Sequence, residues 1–118
     1  MSSEPEAEPL LPLPPATLHI LLALADEDRH GYAIIQDVEA RTGGELRLSA
    51  GTLYRSVARM VEQGLIAEVI PRRTRADAER RRYYRITPFG TAVARAELRR
   101  LAQLVRLGRD RGLTPAAS

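Results

Sequence analysis

The chain has 118 residues, enough for one domain with a modest core, and it contains no cysteine and only two isolated histidines. Disulfides, thiol nucleophiles and the usual zinc ligand sets are therefore excluded, and no metal or cofactor is expected. The net charge of +3 is unevenly divided, because residues 1–48 carry three arginines against nine acids (−6) and residues 49–118 carry fifteen against six (+9).

All eighteen basic residues are arginine and none is lysine. Arginine is the better bidentate partner for phosphate and for guanine edges, although codon bias explains the same usage equally well. The asymmetry between the two halves is harder to attribute to codon bias, and it indicates an anionic partner for the C-terminal half.

Residues 1–13 are rich in proline and acidic side chains, which predicts a disordered leader. A first helix is predicted from Pro15, with an apolar stripe at Leu18, Leu21, Leu22 and Ala25. The apolar run in this helix is too short to span a bilayer, and the acidic start does not match a secretory signal. A cytoplasmic protein without a membrane partner is therefore expected.

A second helix is predicted after Gly31, with Ile34, Ile35 and Val38 facing inward and a stop at Gly43 and Gly44. The alternation in Glu45–Leu48 predicts a short half-buried strand. Ser49 is then a credible N-cap for a third helix that ends at Gly64, with Leu53, Val57, Met60 and Val61 on its inner side.

Two β-prone runs follow, from Leu65 to Arg73 and from Arg80 to Thr87, and they predict a hairpin with a long charged tip. Thr87 as N-cap with Pro88 behind it predicts a last helix that runs to about Gly108. The fold class is therefore mainly α with a small β-hairpin wing, a winged helix-turn-helix plus a C-terminal dimerisation helix. The predicted segments are a leader (1–13), the winged domain (14–87), the dimerisation helix (88–110) and a tail (111–118).

In a winged helix-turn-helix the third helix enters the major groove while the hairpin touches flanking DNA. Thr52, Arg55, Ser56 and Arg59 share the outer face of the third helix, and Gly51 allows the backbone to approach a phosphate or base edge closely. Exposed arginines on a helix are often only a solvated face. The shared face beside a basic wing favours DNA binding, with Thr52, Arg55 and Arg59 reaching base edges.

The predicted wing carries the most concentrated charge in the chain. Residues 72–85 hold seven arginines against two acids, a net of +5 in fourteen residues. A hairpin does not need that charge to fold, whereas phosphate neutralisation explains it. Arg80, Arg81 and Arg82 are the predicted backbone contacts of the wing, and a generic basic surface loop is the alternative.

Three stretches together resemble the PadR family of transcriptional regulators. They are HGY at His30–Tyr32, SAGTLYRSVARMVEQGLI at Ser49–Ile66, and RRRYYRITPFG at Arg80–Gly90. The resemblance covers roughly residues 16–105 and implies a homodimer that binds double-stranded DNA, usually a repressor, released in some members by a small ligand. It also implies that Ser49, Gly51, Thr52 and Tyr54 approach operator DNA and that the Tyr32 hydroxyl reaches the DNA backbone.

The last helix carries two apolar stripes. One contains Phe89, Val93, Ala96, Leu104 and Leu107, and the second contains Ala94, Leu98, Leu101 and Val105. One stripe docks on the chain's own domain, so the other needs a partner, and a second copy matches a palindromic operator. The predicted dimer interface comprises Phe89, Ala94, Leu98, Leu101 and Val105.

Other functions find little support in the sequence. Some members of that family bind flat aromatic drugs between tryptophans, but this chain has no tryptophan. The existence and identity of an effector therefore stay open. No phosphate loop or catalytic spacing is found, and no enzymatic activity is expected. The remaining alternative is a winged-helix interaction module that binds an acidic protein or RNA.

Overall fold

The computed structural model describes residues 6–70 and 82–113 of the chain. In that part a single 3₁₀ turn at Glu8–Leu10 precedes the regular elements. The four helices are α1 (Pro15–Leu24), α2 (Gly31–Arg41), α3 (Ala50–Glu62) and α4 (Pro88–Asp110). The three strands are β1 (Arg29–His30), β2 (Ile66–Val69) and β3 (Tyr83–Ile86). The predicted fold class, mainly helical with a small antiparallel wing sheet, is confirmed.

Side-chain caps fix where three of these helices begin. The Ser49 hydroxyl accepts the Thr52 N–H at 3.1 Å at the start of α3, and the Thr87 hydroxyl accepts the Gly90 N–H at 2.9 Å at the start of α4. His30 caps α2 in the same way through its Nδ1 atom. Both N-caps predicted from the sequence, Ser49 and Thr87, are therefore confirmed.

The end of α3 is set by Gly64, whose φ of 77° lies in the left-handed region. The Leu65 N–H donates to the Met60 carbonyl at 2.9 Å, and the Gly64 N–H donates to the Val61 carbonyl at 3.0 Å. These two bonds form a Schellman motif, which terminates the helix and turns the chain into β2. Because the turn is tight, β2 starts directly beneath the helix that it supports.

One core joins α1, α2, α3, the sheet and the first half of α4. Its fully buried side chains include Ile20, Leu21, Leu24, Ile34, Val38, Leu53, Met60, Leu65, Ile66 and Val93. The inner side of α1 differs from the predicted stripe, because Leu22 and Ala25 are exposed while Ile20 and Leu24 are buried. Val61 is also exposed and not buried as predicted, because it lines the open cavity between α3 and the sheet.

The predicted strand at Glu45–Leu48 is wrong. The Thr42 hydroxyl donates to the Val38 carbonyl and accepts the Leu46 N–H at 3.1 Å, which holds this connector as a turn rather than an extended partner. The third strand is β1 instead, and the sheet order is β1-β3-β2 with both pairs antiparallel. Because β1 pairs with β3 and is followed directly by α2, it connects the start of α2 to the sheet.

The leader is also more ordered than predicted. Residues 1–5 lie outside the described part, but Glu8–Leu10 forms a helical turn and Leu13 is buried in the core. The Leu13 N–H donates to the Glu97 carboxylate of α4 at 2.9 Å, and Arg100 pairs with the same carboxylate. The hydrogen bond to Arg100 holds the pKa of Glu97 below its usual range although the side chain is buried. This bond secures the segment that precedes α1 to α4.

Candidate nucleic-acid interface

The outer face of α3 is held rigidly on the core. Leu53, Val57 and Met60 are buried beneath the helix, while Arg55 and Arg59 project from the opposite side. Gly51 is exposed in the first turn, and the Arg55 guanidinium lies 3.5 Å from the position that a β-carbon at Gly51 would occupy. The first turn of α3 therefore presents exposed backbone next to a guanidinium group.

Arg55 and Arg59 are two of the seven arginines in the described residues that have no ion pair. Within residues 6–70 and 82–113 neither has a carboxylate within 4.0 Å. Ion pairs instead engage Arg29, Arg41, Arg47, Arg82, Arg85 and Arg100. The paired arginines stabilise the protein surface, and the two on α3 keep their full charge available for an external anion.

A cavity of about 170 Å³ lies between the start of α1 and the flank of α3. It is lined by Pro14, Thr17, Thr52, Arg55, Ser56 and Arg59. Thr52 and Ser56 are half-buried here instead of pointing fully outward, so the predicted outer face divides into an exposed part and this recess. Sequence reasoning missed Thr17, whose only signal is that it is the single hydroxyl in an otherwise apolar stretch of α1.

The HGY and GTLY stretches meet in space. A β-carbon at Gly31 would lie 2.7 Å from the Tyr54 hydroxyl and 3.1 Å from Leu53, so glycine lets α3 cross α2 without displacing the Tyr54 side chain. His30, besides capping α2, makes an edge-to-face contact with Tyr83 of β3 at 5.3 Å between ring centroids. Tyr32 and Tyr54 are 62% and 51% exposed. Both phenol groups thus lie on the surface near the start of α2.

A second and larger cavity of about 370 Å³ separates α3 from the sheet. Its lining comprises Tyr54, Val57, Ala58, Val61, Glu68, Arg82 and Tyr84. Burial, and next the charge of Glu68, raise the pKa of Tyr84 above its ordinary value. Glu68 carries the only acidic group in this lining, and Arg82 pairs with it at 3.4 Å.

The predicted wing contacts are only partly described. Arg82 is exposed just before β3, whereas Arg80 and Arg81 lie outside the described residues. Arg85 belongs to the same basic run but makes a bidentate pair with Asp28, at 3.1 and 2.8 Å, in the turn between α1 and β1. That hydrogen bond raises the Arg85 pKa, and the side chain fastens β3 to the turn before β1.

The start of α4 packs against the domain. A β-carbon at Gly90 would lie 2.0 Å from the Leu65 carbonyl oxygen, so this glycine is required where α4 crosses the end of α3. Ala94 is 9% exposed and Phe89 packs against the core, so the predicted place of Ala94 on a partner-facing stripe is wrong. The reason is that the domain covers α4 as far as Glu97.

Beyond Glu97, no described side chain of α4 is buried. Leu98, Leu101 and Val105 lie on one side at helical spacing, and Leu98 and Val105 are 42% and 45% exposed. Leu104 and Leu107 are about half exposed on other sides of the helix. The second half of α4 therefore leaves an apolar stripe uncovered by its own chain.

The described residues hold no cluster of histidine, cysteine or carboxylate side chains suited to a metal ion. Across residues 6–70 and 82–113 no helix is both long and apolar enough to cross a membrane.

Comparison with known proteins shows which protein family this chain is similar to. The profile of the "Transcriptional regulator PadR-like family" matches residues 20–96. "Transcriptional regulator Rv3488" of Mycobacterium tuberculosis is 37% identical over 89 residues, which cover 75% of this chain and 78% of that protein.

Two solved structures share the fold. A transcriptional regulator from Clostridium thermocellum is 26% identical with a TM-score of 0.67, covering 80% of this chain and 87% of the other. A PadR family regulator from Clostridium difficile is 21% identical with a TM-score of 0.66, covering 80% of this chain and 95% of the other.

Proposed function

The chain belongs to the PadR-like family of transcriptional regulators, and from that premise we propose that it is a homodimeric repressor that binds a palindromic operator in double-stranded DNA. The observation that carries the proposal is the face of α3, where Arg55 and Arg59 project without a described carboxylate partner beside the exposed backbone of Gly51. Unpaired guanidinium groups on a helix of major-groove dimensions suit phosphates and guanine edges. The DNA partner in turn supports a cytoplasmic location.

The second copy in the proposal covers the stripe of Leu98, Leu101 and Val105. The stripe lies on the second half of α4, and the first half of the same helix packs against the domain. Two α4 helices packed along their stripes would therefore hold the two α3 helices at a fixed distance and orientation. A two-fold dimer of this kind matches half-sites about 34 Å apart, one turn of B-DNA. Repression follows where such an operator overlaps a promoter.

The experiment replaces Leu98 and Leu101 together with glutamate and measures mass by sedimentation velocity. Like charges on both sides of a two-fold seam are costly to bury, so the double variant is expected to sediment as a folded monomer. It should also bind the DNA upstream of its own coding region far more weakly than the wild type does, because it loses the second half-site.

Gln103→Glu is the matched control, because it adds a carboxylate on the exposed side of α4 away from the stripe. This variant should remain a dimer with unchanged DNA affinity. A folded Leu98→Glu/Leu101→Glu variant that stays dimeric rules out this helix as the main interface. Wild-type protein that binds only RNA or an acidic protein supports the interaction-module alternative instead.

A further inference from the structure

The cavity between α1 and α3 has a polar lining that the fold uses only in part, since the Thr52 hydroxyl accepts the Ser49 hydroxyl at 3.1 Å. Thr17 is 6% exposed and no described residue bonds its hydroxyl, but no buried side-chain oxygen of the described residues lacks a partner, so that hydroxyl is open to the cavity. Ser56, half-buried at the same recess, likewise has no described partner. A hydroxyl that is open to a cavity and bonded to no protein group can donate to a ligand there.

The cavity's chemistry selects one class of ligand. Its lining contains two guanidinium groups, three hydroxyl groups and a proline, and no carboxylate. A cation would find no counter-charge, and an apolar ligand would leave the hydroxyls and guanidinium groups of the lining unbonded. An anion with several acceptor oxygens satisfies both the guanidinium and the hydroxyl donors, and about 170 Å³ suits a small tetrahedral group rather than a large ligand.

We propose that this recess binds one phosphate group, held by Arg59 and Arg55 at the rim and by the hydroxyls of Thr17, Thr52 and Ser56. The phosphate belongs to the DNA backbone or to a free phosphate ligand that competes with DNA. The first of these sources rests on the proposed function, and the second does not. Under either source Arg59 holds phosphate and does not read a base, so the reading of sequence shifts to the first turn of α3.

The position of the recess is fixed before any ligand arrives. Pro14 directly follows Leu13, whose N–H is bonded to the buried Glu97 carboxylate of α4. No side chain caps α1, so the amide groups of its first turn near Thr17 add positive potential on the same side. A preformed site of this kind binds an anion without reordering the chain.

The first arm of the test titrates inorganic phosphate into the isolated protein at constant ionic strength and follows the amide NMR shifts of α1 and α3. Wild-type protein and Arg95→Gln, a control at an exposed arginine of α4, should give the same saturable shifts. Arg59→Gln and Thr17→Val should each weaken binding, Arg59→Gln by about tenfold for the loss of one charge-assisted bond. Ser56→Ala repeats the removal of a hydroxyl if Thr17→Val does not fold.

The second arm measures affinity for operator and random duplexes against salt concentration. A backbone phosphate in the recess predicts that Arg59→Gln lowers the slope of log affinity against log salt by about 0.9, on both duplexes alike. Thr17→Val removes no charge, so it should weaken both duplexes without a change of slope.

Saturable phosphate binding that the variants weaken supports a site open to free phosphate. Effects in the DNA arm alone assign the recess to the DNA backbone. Folded variants that change neither arm overturn the proposal, whether or not free phosphate binds. Wild-type protein that binds neither phosphate nor DNA overturns it too. Should DNA binding fail while the phosphate arm succeeds, the proposed function falls and the phosphate site stands.

Discussion

Removing the Glu97 carboxylate tests whether the N-terminal segment is an integral part of the domain. Glu97 is 2% exposed, and its Oε2 atom both accepts the Leu13 N–H and lies 3.0 Å from Nη2 of Arg100. Glu97→Ala leaves the buried Leu13 amide unbonded, which costs about 1–3 kcal/mol. It also opens space at a packed site, which adds about 1 kcal/mol or more. The Arg100 pair is discounted, because that side chain is 37% exposed and water replaces the lost partner.

The free energy of unfolding is therefore expected to fall by on the order of 3 kcal/mol in Glu97→Ala, measured by urea unfolding at one fixed protein concentration. Glu97→Gln keeps an acceptor for Leu13 and loses the charge, so it should cost about 1 kcal/mol. Arg99→Ala is the control, since Arg99 is an exposed neighbour without a described ion pair. A Glu97→Ala protein within about 0.5 kcal/mol of the wild type refutes the reasoning.

The same pair has a defined pH dependence. Because the folded-state pKa of Glu97 lies below its unfolded value, its contribution is complete above the unfolded pKa of about 4.3 and is lost as the pH falls through the folded pKa. The difference in stability between wild type and Glu97→Gln should therefore shrink as the pH falls below about 4.3 and through the folded-state pKa. A difference that grows with acid contradicts the assignment.

Three further substitutions follow from the packing. Gly90→Ala would place a β-carbon 2.0 Å from the Leu65 carbonyl oxygen, a backbone atom that cannot move easily. Thermal unfolding followed by circular dichroism should therefore show a free energy of unfolding lower by about 3 kcal/mol or more. An unchanged unfolding midpoint contradicts the contact. In Gly31→Ala the new β-carbon meets the mobile end of the Tyr54 side chain at 2.7 Å, so the free energy of unfolding should fall by only about 1 kcal/mol. The displaced Tyr54 ring should weaken DNA binding, which fluorescence anisotropy measures. An unaltered DNA affinity would show that Tyr54 is not part of the interface. Glu68→Gln frees Arg82 from its 3.4 Å pair and should tighten DNA binding a few-fold in dilute salt; weaker binding would show that the wing sheet faces away from phosphate.

The sequence predicted the elements whose determinants are local. Ser49 and Thr87 are N-caps because a hydroxyl three residues before a free amide suffices, and the inner face of α3 follows from the spacing of Leu53, Val57 and Met60. The extra strand β1 was missed because two residues carry no periodicity. The connector at Glu45–Leu48 alternates as a strand does, but the Thr42 side chain bonds its backbone first.

Long-range contacts account for the other differences. A proline-rich acidic leader reads as disordered until the partner of Leu13, 84 residues away in the chain, is known. Ala94 and Leu98 fall on one stripe of an isolated helix, and only the packing of the domain shows that the first is covered and the second is not. Among the candidate site residues, Arg55 and Arg59 were recognised from charge on a helix face. Thr17 of α1 was not recognised as a candidate, because only the packing of α1 against α3 shows that it lies beside Arg55 and Arg59.

Selection of binding sites from a pool of random DNA duplexes shows whether the protein is a dimer that recognises a DNA sequence. Purified wild-type protein, carried through successive rounds at fixed salt, is predicted to enrich a two-fold symmetric motif whose half-sites lie about 10 base pairs apart, as two α3 helices in successive major grooves require. The Leu98→Glu/Leu101→Glu variant should enrich at most a single half-site. A wild-type pool that stays random, or one that yields a motif without two-fold symmetry, contradicts the account of a dimeric, sequence-specific regulator.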